Sequence, residues 1–306
     1  MCDMKRVVIT GATGAIGTAL VNECIQQGIE VLVLCRKDSL RNRNIPQHSL
    51  VTKKFCSLEQ LAGIQNDTGS MYDVFYHLAW AGTFGNARND LYLQNQNVAY
   101  ALDAVRAARR FGCSVFVGTG SQAEYGCVEG VLRPDTPAFP ENGYGMGKLC
   151  AGLMTRELAG QLGLRHIWVR VLSVYGPCDG ENSMIMSAIR KLLAGETPEF
   201  TKGEQMWDYL YSADAARALY LIGEKGADKK IYVLGSGKAK PLAEYILELR
   251  DIISPGAEVR LGAVPYAAGQ VMHLQADISE LIKDTGFGPA VHFPDGIRKT
   301  ADLSGV

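Results

Sequence analysis

The sequence has almost no excess charge of either sign: 31 basic side chains stand against 32 acidic ones over 306 residues, for a formal charge of −1. That near-cancellation removes the broad electrostatic case for a nucleic-acid or anionic-membrane surface. No apolar run approaches the roughly 18 residues of a membrane span. Cys2-Asp3 leading into Lys5-Arg6 is not the apolar opening of a secretory signal. The eight cysteines, at 2, 24, 35, 56, 113, 127, 150 and 178, include no CxxC pair. Dithiol redox and zinc motifs are thereby excluded, and scattered reduced thiols, no metal and a cytoplasmic address are expected. No internal repeat or low-complexity tract is present, which excludes a solenoid.

What the chain does have is length and rhythm. A folded chain this long buries about three quarters of its unfolded surface and needs no staple. Val7–Ile9 is a short apolar run that ends in Thr10-Gly11-Ala12-Thr13-Gly14-Ala15-Ile16-Gly17 and passes into a helical pattern through Leu20, Val21 and Ile25. Gly28 stops that helix and Val31–Leu34 makes the next strand. The alternation returns with strands at 74–78, 114–118 and 167–172 and helices at about 90–111 and after Tyr144. Continuous apolar strands separated by amphipathic helices predict a doubly wound parallel sheet of Rossmann type, an α/β fold. After Tyr175-Gly176-Pro177 the rhythm breaks: helices at 183–193 and 214–223 and a strand at 231–234 are separated by irregular stretches. The expected division is a dinucleotide domain of residues 1–178 with 208–237, and a smaller C-terminal substrate lobe of 179–207 with 238–306.

Glycines at 11, 14 and 17 between a strand and a helix allow a tight turn, close approach of backbone to a pyrophosphate, and close helix packing. Thr13, Ala15 and Ile16 complete the loop, and the helix N-terminus favours an anion. In such folds an acid at the end of the second strand bonds the adenosine ribose of NAD. Here Cys35-Arg36-Lys37 offers no carboxylate. A guanidinium at that point suits a 2′-phosphate, so NADP(H) is expected in preference to NAD(H), with Arg36 as the selecting residue.

Tyr144 and Lys148 are four residues apart at the opening of a helix and share one face. A phenol is a poor acid near neutrality, and a neighbouring ammonium brings it into range. Ser121, read as just past the strand 114–118, adds a hydroxyl for a substrate oxygen.

With these pieces the chain resembles the extended short-chain dehydrogenase/reductase family, the NAD(P)-dependent nucleotide-sugar epimerases, dehydratases and reductases. The resemblance is carried in order by the glycine loop, His77-Leu-Ala-Trp-Ala, Asn97-Val98, Gly120-Ser-Gln-Ala-Glu-Tyr-Gly126, Tyr144-Gly-Met-Gly-Lys148, Arg170-Val-Leu-Ser-Val-Tyr-Gly-Pro177 and Asp208-Tyr-Leu-Tyr-Ser-Ala-Asp214. It implies that Tyr144 is the general acid or base, that Lys148 binds the nicotinamide ribose, and that Ser121 orients the reacting oxygen. It places Leu78, Ala79, Asn97 and Thr119 along the cofactor cleft or behind the lysine. His77 is expected to be a core residue. Glu124 and Tyr125 are open between facing a sugar and packing the loop. The resemblance also implies a homodimer through the helices at 90–111 and 144–163.

The departures from the family narrow the reaction. Dehydratases carry a threonine followed by an acidic pair where this chain has Ser121-Gln122-Ala123, so elimination lacks a proton shuttle. The basic turn at Arg36 then favours net reduction: hydride from NADPH to C4 of a nucleotide-linked 4-keto-6-deoxyhexose, with Tyr144 protonating the alkoxide. The alternatives are a nucleotide-sugar 4-epimerase with retained NAD(P) and a non-catalytic NADP(H) sensor. Many relatives have arginine at Trp207, asparagine at Ser173 and an arginine within the segment matching Pro265–Gly269, groups that commonly hold the nucleotide diphosphate.

Overall fold

The computed structural model describes residues 4–267 and 269–303. Cys2 and the N-terminal opening, and Ala268 in the 265–269 segment, lie outside the described residues. The first half runs β1 (Arg6–Thr10), α1 (Ala15–Gln26), β2 (Glu30–Cys35), β3 (Val51–Phe55), β4 (Val74–His77), α2 (Leu91–Arg110), β5 (Val115–Ser121), α3 (Gly143–Gln161), β6 (Arg165–Val171) and β7 (Ser173–Tyr175). It continues with α4 (Met184–Leu193), β8 (Glu199–Phe200), β9 (Met206–Trp207), β10 (Tyr209–Tyr211), α5 (Ser212–Lys225) and β11 (Ile231–Leu234). The tail holds β12 (Lys240–Pro241), α6 (Leu242–Ile253), β13 (Arg260–Leu261), α7 (Ser279–Thr285) and α8 (Phe293–Leu303).

Seven strands form one parallel sheet in the order β11-β6-β5-β4-β1-β2-β3. The strands are apolar on both faces because helices cover both. On one side Leu20, Val21 and Cys24 of α1 and Ala215, Leu219 and Ile222 of α5 close over Val7, Ile9, Val74 and Val117. On the other, Ala104, Val105 and Ala108 of α2 and Ala159 of α3 close over Val8, Phe75 and Phe116. A separate small core joins Ile185 and Ile189 of α4 to Tyr211, Leu249 and Ile297. Strand order reverses between β1 and β4, and the crevice above such a switch point is where open α/β sheets take ligands. None of the described helices is long and apolar enough to cross a membrane, and the seven described cysteines are free thiols.

Two differences from the sequence reading have a physical cause. β5 runs on to Ser121, so the serine is the strand's last residue and not a loop residue beyond it. Gly118, where the expected strand ends, and Gly120 beyond it are both strand positions that make room for the indole of Trp168 on β6. β3 is an edge strand in which the adjacent Thr52 and Lys53 are both exposed, which hides its period.

Candidate active site

The glycine loop is built from contacts that only glycine permits. Gly11 has φ +76 and lies against the backbone of the β4 end: a Cβ there would stand 2.7 Å from the Ala79 nitrogen and 2.8 Å from the Leu78 carbonyl carbon. A Cβ on Gly17 would run into the Gly11 carbonyl oxygen. Thr10 holds the same junction, its Oγ1 accepting from the Ala79 amide at 3.3 Å and bonded to His77 Nδ1 at 2.9 Å. Gly14 differs. Its φ of −92 suits any residue, and an added Cβ would meet nothing within 4 Å. The protein's own packing gives no reason for glycine there, whereas a pyrophosphate drawn close to the backbone does. Gly14 caps α1 without any side-chain cap or acidic first turn, leaving the amides that begin at Ala15 and Ile16 and the positive helix end for an anion. Thr13 is steadied by Asn44, whose Nδ2 donates to its carbonyl at 3.0 Å. The residues present therefore fit a dinucleotide.

Past the end of β2, Arg36 is exposed. Asn42 shapes its turn, Nδ2 donating to the Arg36 and Lys37 carbonyls at 2.7 and 3.3 Å. Arg36 has no salt bridge among the described residues.

Tyr144, Lys148 and Ser121 come together at the carboxyl end of β5. Asn142 caps α3 by accepting from the Gly145 amide at 2.9 Å. Gly145 allows the helix start to press on the Ala123 carbonyl, where a Cβ would collide. That approach sets Tyr144 near Ser121, whose hydroxyl lowers the phenol's pKa. Ser121 Oγ also accepts from the Ala123 amide at 3.2 Å. Lys148, 3% exposed, donates to the Thr119 carbonyl at 2.7 Å, and Thr119 Oγ1 donates to the His77 carbonyl at 3.2 Å. Its Nζ lies 4.0 Å from the Trp80 ring centroid and 5.8 Å from that of Tyr144. Burial pulls the Lys148 ammonium down to about 7, against the opposing charge of Glu124. Burial also pushes the Tyr144 phenol up, while Ser121 and then the charge of Arg88 pull it down.

Among the described residues Asn97 makes no hydrogen bond to the lysine. It clamps the peptide of Ala81, accepting from the amide at 3.0 Å and donating to the carbonyl at 2.9 Å. Gln94 accepts from Trp80 Nε1 at 2.8 Å, so the two amide side chains together fix the loop that lays Trp80 over Lys148. His77 is 3% exposed, as a core residue would be. The alternatives for Glu124 and Tyr125 close in favour of packing. Glu124 is fully buried and accepts from the Ser121 amide and Arg170 Nε, both at 2.8 Å, and from Trp168 Nε1 at 3.1 Å. The Tyr125 hydroxyl donates to the Arg133 carbonyl at 2.7 Å.

The glycine loop after β1 and the Ser-Tyr-Lys cluster after β5 thus stand at the carboxyl ends of strands joined through β4. The profile of the NAD dependent epimerase/dehydratase family matches residues 7–235. The chain belongs to that family. Among its curated relatives is CDP-abequose synthase of Salmonella typhimurium, 22% identical, with 96% of each chain covered. Among solved structures it is similar to a UDP-N-acetylglucosamine 4-epimerase from Methanobrevibacter ruminantium in complex with UDP-N-acetylmuramic acid, with TM-score 0.88, 24% identity and coverage of 99% of this chain and 98% of that one. It is also similar to a UDP-glucuronic acid 4-epimerase from Bacillus cereus in complex with UDP-glucuronic acid and NAD, with TM-score 0.85, 20% identity and coverage of 98% and 99%.

Two features of this family member escaped the sequence. Trp207 and Ser173, two of the three departures of the substrate side, are bonded to each other, indole Nε1 donating to Ser173 Oγ at 2.8 Å. Arg88, in the 3-10 turn Gly85–Asn89, brings its guanidinium to 4.3 Å from the Tyr144 ring centroid, closer than Lys148 comes. No spacing rule points to it, since the loop before α2 is what carries it to α3.

Proposed function

We propose that this chain is an NADPH-dependent reductase that delivers hydride to C4 of a nucleotide-linked 4-keto-6-deoxyhexose. The observation that carries the reading is the basic pair Arg36-Lys37 directly beyond β2, ahead of the first carboxylate at Asp38, which suits an adenosine 2′-phosphate and disfavours a plain ribose pair. In this reading the loop from Gly11 to Gly17 takes the pyrophosphate, Arg36 the 2′-phosphate and Lys148 the nicotinamide ribose. Leu78, Ala79 and Thr119 line the cleft. The reduced dinucleotide, when bound, supplies the hydride. Ser121 donates a hydrogen bond to the C4 oxygen, and Tyr144 passes its phenolic proton to that oxygen as the alkoxide develops, with Lys148 nearby to stabilise the phenolate left behind. Elimination is not supported, because the carboxylate nearest in sequence, Glu124, is buried and bound to Arg170 at 2.8 Å. Residues 179–207 with 238–306 form the substrate lobe in this proposal.

Supplying NADPH with a panel of nucleotide-linked 4-ketosugars tests it. Consumption of NADPH, lost in Tyr144→Phe, is the expected result, with Arg36→Ala weakening NADPH binding at least about tenfold while NADH is little affected. Interconversion of sugar epimers without net NADPH consumption would instead support the second reading, a 4-epimerase with retained dinucleotide, which the similarity to the two epimerase structures favours. Pairing of two copies through α2 and α3 belongs to the same proposal: Tyr92, Leu153 and Met154 stand exposed there, and a dimer is the expected species in equilibrium sedimentation.

A further inference from the structure

We propose that Arg88 is a positioning residue for Tyr144: its guanidinium, laid on the face of the phenol, holds the ring beside β5 and gives the ionised ring a positive neighbour. The proposal rests on the reading of Tyr144 as the proton-transferring group and deepens it. The ring is held on two sides, by Arg88 at 4.3 Å over its face and by Trp80 edge-on at 6.3 Å and 87°. Neither partner is free to drift. Arg88 Nη1 donates to the Thr83 carbonyl at 3.1 Å, and Gln94 Nε2 donates to the Gly82 and Ala87 carbonyls at 3.0 and 2.8 Å. Asn89 Oδ1 accepts from the Gly143 amide at 3.2 Å, pinning the same turn to the residue before Tyr144.

The charged groups around the phenol are Arg88 from the turn before α2, Lys148 on its own helix and Glu124 after β5. Glu124 is neutralised by Arg170. Lys148 is turned to the Thr119 carbonyl and the Trp80 face. Arg88 has no salt bridge among the described residues, so its charge is not spent on a carboxylate. A cation over an aromatic face is attracted by the ring's electrons, and more strongly once the ring carries negative charge. A guanidinium is also a group that stays charged at any pH at which a phenol titrates.

The test is an NMR titration of the full chain labelled with carbon-13 at the tyrosine ring carbon bearing oxygen. Thirteen tyrosines are present, so the Tyr144 signal is identified by its loss in Tyr144→Phe. Arg88→Met is expected to raise the pH at which Tyr144 ionises by about 1 unit, the low end of what an opposite charge at this range does. Arg88→Lys, which keeps the charge, is expected to move it by less than half as much and controls for a folding defect. An unchanged Tyr144 titration in Arg88→Met overturns the proposal. So does a wild-type Tyr144 that stays protonated up to the alkaline unfolding transition. Because the readout needs no turnover, a normal Arg88 effect alongside no reaction with 4-ketosugars would sink the reductase reading and leave Arg88's role standing.

Discussion

Two buried polar clusters flank the carboxyl end of β5, and they are built on opposite principles. In the first, the Glu124 carboxylate satisfies the Ser121 amide, Trp168 and Arg170, while Arg170 Nη1 donates to the Pro134 carbonyl at 3.3 Å and the guanidinium lies 4.4 Å from the Tyr125 ring centroid. Charges cancel inside the cluster. In the second, Lys148 is equally buried and has no ion-pair partner among the described residues, and His77 Nε2 is buried with no hydrogen-bond partner. Folding alone favours the first arrangement and penalises the second. A lone cation retained in low dielectric beside a tyrosine is what a chemical site keeps at the expense of stability.

One paired experiment breaks or sharpens that contrast. Glu124→Gln leaves Arg170 as an uncompensated buried charge and is expected to cost about 3–5 kcal/mol in urea unfolding. Adding Arg170→Met should return most of that loss, because the pair can be replaced by apolar groups of similar volume. Lys148→Met removes a buried charge that nothing neutralises, so it should cost less than about 1 kcal/mol or stabilise the chain, while turnover falls by about 10²-fold or more. Equal losses in Glu124→Gln and Lys148→Met would mean that both clusters are structural.

The same contrast governs how much could be read before the fold was known. The glycine loop and the Tyr144–Lys148 pair are legible because their geometry is local: a strand, a tight turn and one helix face are set by residues within a few positions of each other. Ser121 was found but placed beyond the strand, since the run was ended at Gly118 and the reason for glycine at 118 and 120, the space the Trp168 indole of the next strand needs, is tertiary. Glu124 stayed ambiguous because its partner Arg170 lies on another strand. Arg88 and the Trp207–Ser173 bond were invisible for the same reason: each joins segments that only the tertiary fold brings together.

A smaller effect comes from the two histidines that flank Phe116. His77 on β4 lies 6.2 Å from the Phe116 ring, and His166 on β6 stacks at 5.8 Å on its other side and at 6.2 Å on Trp168. His77 belongs to the unbalanced cluster, where burial and then the Lys148 charge pull its imidazole down to about 3. Burial and then the Arg156 charge pull His166 down to about 4. Each therefore folds neutral but takes a proton when unfolded below its ordinary value of about 6.5. Between that value and the folded one the unfolded chain binds more protons, so stability falls as the pH falls. Above about 7 neither histidine contributes a slope. From pH 7 to pH 5 each should cost about 2 kcal/mol; the carboxyls of Asp179 and Asp208, which burial pushes up, act in the opposite sense where they titrate. His166→Phe keeps the stacked ring and removes the titration, so its unfolding free energy should lose about 2 kcal/mol less than that of wild type over the same interval. An identical pH slope in the two chains would show that His166 titrates normally in the fold, and that burial beside Phe116 imposes no charge penalty on this side of the sheet.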